Sequence, residues 1–84
     1  MKITFKLFAS LTDYLPLQDR TSNQTALELP DGATIVQAIA PFSLPQSMVH
    51  LVLINGKYIA PADRATLPLQ EGDVLAIWPP IAGG

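Results

Sequence analysis

The sequence contains no cysteine, which excludes disulfide staples, thiolate nucleophiles and thiolate metal ligands from this chain. Cations are scarce as well: Lys2, Lys6, Arg20, Lys57 and Arg64 are the only five among 84 residues, set against seven acidic residues. With a net charge of -2 and basic residues so dispersed, there is no stripe to track a phosphate backbone, and nucleic acid is not an expected partner. No run approaches the ~20 apolar residues needed to cross a bilayer, so no membrane span is expected. Met1 leads directly into an alternating segment, so no signal peptide is expected and the expected location is cytoplasmic. The sequence also lacks a glycine-rich phosphate loop, a metal-ligand cluster and a nucleophile–base pair. The chain is therefore not expected to be a free-standing enzyme or to bind a cofactor of its own.

What is present is an apolar, single-domain composition, 49% hydrophobic and 14% charged, well away from that of disordered chains. Ile3, Phe5 and Leu7 alternate with Lys2, Thr4 and Lys6, the period of a strand with one buried side. A polar, turn-forming stretch follows from Ser10 to Gln24. Thr25, Leu27 and Leu29 make a second alternating run, ended by Pro30-Asp31-Gly32. Thr34 is placed to cap a short helix over Ile35, Val36, Ala38, Ile39 and Ala40, which Pro41 stops. Pro41 to Gln46 reads as loop, and Met48 to Ile54 as a strand turned back by Asn55-Gly56 into a short return strand, Lys57 to Ala60. Pro61 to Pro68 reads as a surface connection, and Glu71-Gly72-Asp73 as a turn before a last strand, Val74 to Trp78. This order predicts an α+β fold: one mixed sheet packed on one short helix, the first and last strands parallel neighbours at its centre.

One helix covers one face of such a sheet, so the other face should be polar. Two strands do not fit that rule. If Val52, Ile54, Leu75 and Ile77 face the helix, then Leu51, Leu53, Ala76 and Trp78 face outward, with Phe8 at the end of the first strand. An exposed apolar cluster with an aromatic anchor is expected to dock a partner.

The chain ends Pro79-Pro80-Ile81-Ala82-Gly83-Gly84. A terminal glycine offers an unhindered carboxylate, and two glycines in succession remove every Cβ that would bar a narrow channel. The carboxylate is ionised at neutral pH and is a poor acyl electrophile until a partner activates it. Paired prolines stiffen the tail, and six residues at ~3.1 Å each reach roughly 20 Å. Residues 1–78 are expected to form the folded body and 79–84 the reactive tail.

Phe8-Ala9 after the first strand, Ile54-Asn55-Gly56, Leu69-Gln70-Glu71-Gly72-Asp73 and the Pro-Pro-Ile-Ala-Gly-Gly ending together resemble the MoaD/ThiS family, most of all the small subunits of molybdopterin synthases. The resemblance spans nearly the whole chain. It implies a β-grasp, ubiquitin-like fold and a carrier cycle in which an E1-like adenylating enzyme uses ATP to activate Gly84. A sulfur donor protein then converts the adenylate to a thiocarboxylate. The resemblance further implies that Pro79, Pro80, Ile81, Ala82 and Gly83 thread into the synthase large subunit, where the sulfur passes to a pterin to build the metal-binding dithiolene. Many relatives carry Leu-Arg-Glu after the first strand where this chain has Leu11-Thr12-Asp13, and their helix is longer.

The remaining polar residues are expected to be structural. His50, alone in an apolar strand, reads as a partly buried hydrogen-bonding residue; Asp63 and Arg64 read as shapers of a surface turn; Asn55, Glu71 and Asp73 read as turn residues. Three rival functions remain: a sulfur carrier of thiamine type or of another pathway, which shares the fold and the chemistry, a ubiquitin-like modifier whose activated glycine is attacked by a lysine amine, and an interaction module that works without tail chemistry.

Overall fold

The computed structural model describes residues 1–80. Five strands form one sheet: β1 (Lys2–Leu7), β2 (Gln24–Glu28), β3 (Leu51–Ile54), β4 (Lys57–Tyr58) and β5 (Val74–Trp78). Their spatial order is β2-β1-β5-β3-β4. β1 and β5 are parallel at the centre, with Phe5 beside Leu75 and Leu7 beside Ile77, while every other pairing is antiparallel. The expected mixed sheet with its central parallel pair is therefore the observed one. Asn55 and Gly56 both have positive φ, 51° and 82°, the conformation that a two-residue hairpin requires and that Asn-Gly tolerates.

The one α-helix among the described residues, α1 (Ile35–Ile39), starts where Thr34 was expected to cap it. Thr34 Oγ1 accepts from the Gln37 amide and Gln37 Oε1 accepts from the Thr34 amide, so two N-terminal donors are satisfied reciprocally. The chain does not leave the helix at Pro41. A 3-10 turn, Ala40–Phe42, continues it, because proline at the start of a turn gives up a donor that would be unpaired there anyway. Phe42 is thereby brought against Phe5, ring centroids 4.8 Å apart. A further 3-10 turn, Gln46–Met48, occupies the beginning of the run expected to be strand, so β3 starts only at Leu51.

The core lies between the sheet and α1. Ile3, Phe5, Leu7, Val52, Leu75 and Ile77 from the strands meet Ile35 and Ala38 from the helix, all at most 2% exposed. Leu11 and Leu15 also belong to it. The stretch from Ser10 onward, expected to be merely polar, begins with a 3-10 segment (Ala9–Tyr14) that buries Leu11, and Leu15, the residue that ends it, is buried as well.

Candidate functional site

The site builds outward from the end of β5. Each strand residue alternates faces, so Leu75 and Ile77 enter the core while Val74, Ala76 and Trp78 lie on the face away from α1. The register then decides their neighbours: Leu51 pairs with Trp78, Leu53 with Ala76, and Tyr58 with Leu53. On the other side of β5, Lys6 pairs with Ala76 and Thr4 with Val74. The face away from the helix is thus divided. Its β3–β4 side is apolar, whereas its β1–β2 side carries Lys6 opposite Gln24 and Lys2 opposite Glu28, the last two joined by an exposed ion pair at 3.9 Å.

Phe8 follows β1 and stacks on Trp78, with centroids 4.2 Å apart and ring planes 3° from parallel. The two rings are fixed by backbone as well: the Phe8 amide donates to the Ile77 carbonyl, and the His50 amide donates to the Trp78 carbonyl. Both neighbouring strands therefore hold β5 up to Trp78. Pro79 and Pro80 have no amide proton to extend the ladder, so pairing ends where the tail begins.

Of the expected docking residues, Leu51 is exposed and Leu53, Trp78 and Phe8 are half-buried. Ala76 does not belong with them: it is only 7% exposed, a small side chain in a central strand between the longer Lys6 and Leu53. Tyr58, 56% exposed beside Leu53, was not among the expected docking residues. Its signal was the two-residue Asn55-Gly56 turn, which fixes residue 58 opposite residue 53. Of the tail, Pro79 is half-buried and Pro80 exposed, while the expectations for Ile81, Ala82, Gly83 and Gly84 fall outside the described residues.

Asn55 and Asp73 do more than form turns. Asn55 Nδ2 donates to Asp73 Oδ1 and its Oδ1 accepts from the Val74 amide, both at 2.9 Å, which ties the hairpin to the start of β5. Glu71 accepts from the Lys2 amide. His50 is exposed rather than partly buried. Arg64 departs furthest from expectation, for it is buried and not a surface residue. Its Nε, Nη1 and Nη2 donate to the carbonyls of Ile59, Val49 and His50, because the 3-10 turn at Pro61–Asp63 points the side chain back beneath the start of β3.

Among known proteins, the model of the ThiS family matches residues 6–84. No curated protein matches the sequence. Solved structures do. SAMP1 from Haloferax volcanii is 23% identical over 100% of both chains, with a TM-score of 0.69. A second structure, of small archaeal modifier protein 1 from H. volcanii, is 22% identical, with 95% of this chain and 98% of that one covered and a TM-score of 0.65. A chain from the complex of subunits 1 and 2 of the molybdopterin-converting factor of Helicobacter pylori is 15% identical over 100% of both chains, with a TM-score of 0.57. At these identities the likeness is one of fold, the ubiquitin-like β-grasp.

Proposed function

The chain belongs to the ThiS family, and from that membership we propose that it is a sulfur carrier acting at Gly84. The observation that carries this reading is the family match itself, which runs to the last glycine and includes the double proline at which the sheet ladder ends. The carboxylate oxygen of Gly84 attacks the α-phosphate of ATP in an E1-like adenylating enzyme, and pyrophosphate leaves. Hydrosulfide delivered by a donor protein then attacks the acyl carbon and displaces AMP, and loss of its proton leaves a thiocarboxylate. Activation is needed because a carboxylate is resonance-stabilised and its oxygen is a poor leaving group; the acyl adenylate has a good one.

The acceptor we propose is a pterin held by the large subunit of a molybdopterin synthase, with the thiocarboxylate supplying sulfur for the dithiolene. The double proline and the fold shared with a subunit of the H. pylori complex support this choice. The half-buried Phe8–Trp78 stack with Leu51 and Leu53 at the root of the tail is the docking surface in this reading. It suits a partner that must hold the body while the tail enters its active site. A second reading, a ubiquitin-like modifier, is favoured by the end-to-end likeness to small archaeal modifier protein 1. Intact-mass measurement after incubation with an adenylating enzyme, ATP and a sulfur source separates the two. One oxygen exchanged for sulfur supports the carrier, and adducts linked to lysine amines with no sulfur gain replace it with the modifier.

A further inference from the structure

Next to the tail root, on the opposite side of β3 from the Phe8–Trp78 stack, an open cleft of about 490 Å³ lies between α1, the 3-10 turns after it and the turn that carries Arg64. Val36, Leu44 and Val49 line it with apolar surface, Ser43 and Gln46 add exposed polar groups, and Arg64 supplies the only charge among the described residues that line it. That volume is within the range of about 300–1,000 Å³ typical of ligand sites.

The environment of Arg64 is unusual for a buried cation. The residue is 9% exposed, and its three hydrogen-bond partners are neutral carbonyls. A guanidinium has five N–H donors, so two remain without a partner among the described residues. The ion pairs among those residues are Met1 with Asp31 and Lys2 with Glu28, and neither involves Arg64. No Asp or Glu occurs from Ala33 to Ala62, the segment that builds most of the cleft, and Asp63, the residue before Arg64, is exposed and makes no ion pair with it. A protein of net charge -2 thus has a buried positive charge that forms no ion pair among the described residues. Carbonyl dipoles hold a guanidinium in place but carry no net charge, whereas a carboxylate adds the opposite formal charge and can accept two parallel N–H bonds from the guanidinium fork.

Position adds to chemistry. Arg64 Nη2 donates to the His50 carbonyl at 3.2 Å, and the His50 amide donates to the Trp78 carbonyl at 3.3 Å. A single residue, His50, therefore separates the guanidinium from the last strand residue before the tail. A protein that grips the tail end of the body reaches this cleft without leaving that end.

We propose that the cleft receives an acidic side chain, flanked by an apolar one, from a protein partner that engages the tail end. The carboxylate meets Arg64 and the apolar neighbour packs on Val36, Leu44 and Val49. The proposal rests on the carrier-or-modifier reading only for where the partner sits.

The test is an NMR titration of the isotope-labelled full chain with the capped tripeptide acetyl-Leu-Glu-Leu-amide, and separately with its Gln counterpart. The expected result is saturable shifts at the amides of Val36, Ser43 and Val49 and at Arg64 Nε, with the Gln peptide at least about tenfold weaker. Replacing Arg64 risks unfolding the protein, so the paired variant is Gln46→Glu, an isosteric change at an exposed residue that puts a carboxylate beside the site. It should weaken the Glu peptide about tenfold while leaving the rest of the spectrum in place. Equal binding of both peptides, shifts confined to the Phe8–Trp78 face, or no shifts at all overturn the proposal. So do the same shifts on concentrating the protein alone, which mean a second copy, or on adding inorganic phosphate at lower concentration, which mean a free anion. None of these measurements uses Gly84. A chain that binds the peptide yet never gains sulfur loses the carrier reading alone, and the reverse outcome removes only this proposal.

Discussion

The two faces of the sheet are built from the same strands and are both apolar around β5, yet they differ in what lies against them. On the helix side Phe5, Leu7, Val52, Leu75 and Ile77 are 0% exposed. On the other side Phe8, Leu53 and Trp78 are half-buried, and Leu51 remains 37% exposed. The first face stabilises the body. The second keeps apolar area in contact with water where no described residue packs over it, a cost that makes physical sense if a partner removes it later.

Substitutions on the two faces should separate stability from docking. The largest loss is expected for Phe5→Ala, about 3–5 kcal/mol by denaturant unfolding, since it leaves a cavity in a core too small to collapse around it. Against a total of about 5–10 kcal/mol for a domain of this size, much of the stability would go. Arg64→Met should follow at about 2–4 kcal/mol, because three part-buried carbonyls lose their donor. Phe8→Ala removes the aromatic stack and should cost about 1 kcal/mol of stability, but at least tenfold in affinity for the proposed large subunit by calorimetry. Leu51→Ser should change stability by no more than about 0.5 kcal/mol and still weaken docking. Deleting Gly83 and Gly84 should leave the unfolding curve unchanged and abolish sulfur gain by intact mass. Docking variants that unfold the protein as severely as Phe5→Ala would erase the contrast between the faces. Retained sulfur gain after the deletion would move the chemistry elsewhere.

The elements with a strict local period were legible in the sequence. The alternation in Lys2 to Leu7, the Asn55-Gly56 turn and the Thr34 cap each follow from local sterics or hydrogen bonding, and each stands where it was expected. Leu11, Leu15 and Phe42 were not legible as core. Leu11 and Phe42 sit in 3-10 turns and Leu15 directly follows one, elements too short to print a hydrophobic period, and Leu11 is flanked on both sides by polar residues. Arg64 was misread for the reason that charge usually marks the surface, and only the folded chain brings three carbonyls to one guanidinium. Ala76 was expected to be exposed because its face is open, but the side chains on adjacent strands set its cover.

The sequence alone thus determined the strand order, the hairpin, the helix start and the place where the double proline must release the chain, since each depends on residues near one another along the backbone. Tertiary structure alone decided which apolar residues of the open face remain accessible, that Phe8 lies flat on Trp78, and that a buried guanidinium sits one residue from the tail root. Those are matters of register between segments tens of residues apart. A local pattern constrains each segment's own conformation, but not which side chain its neighbour will set beside it.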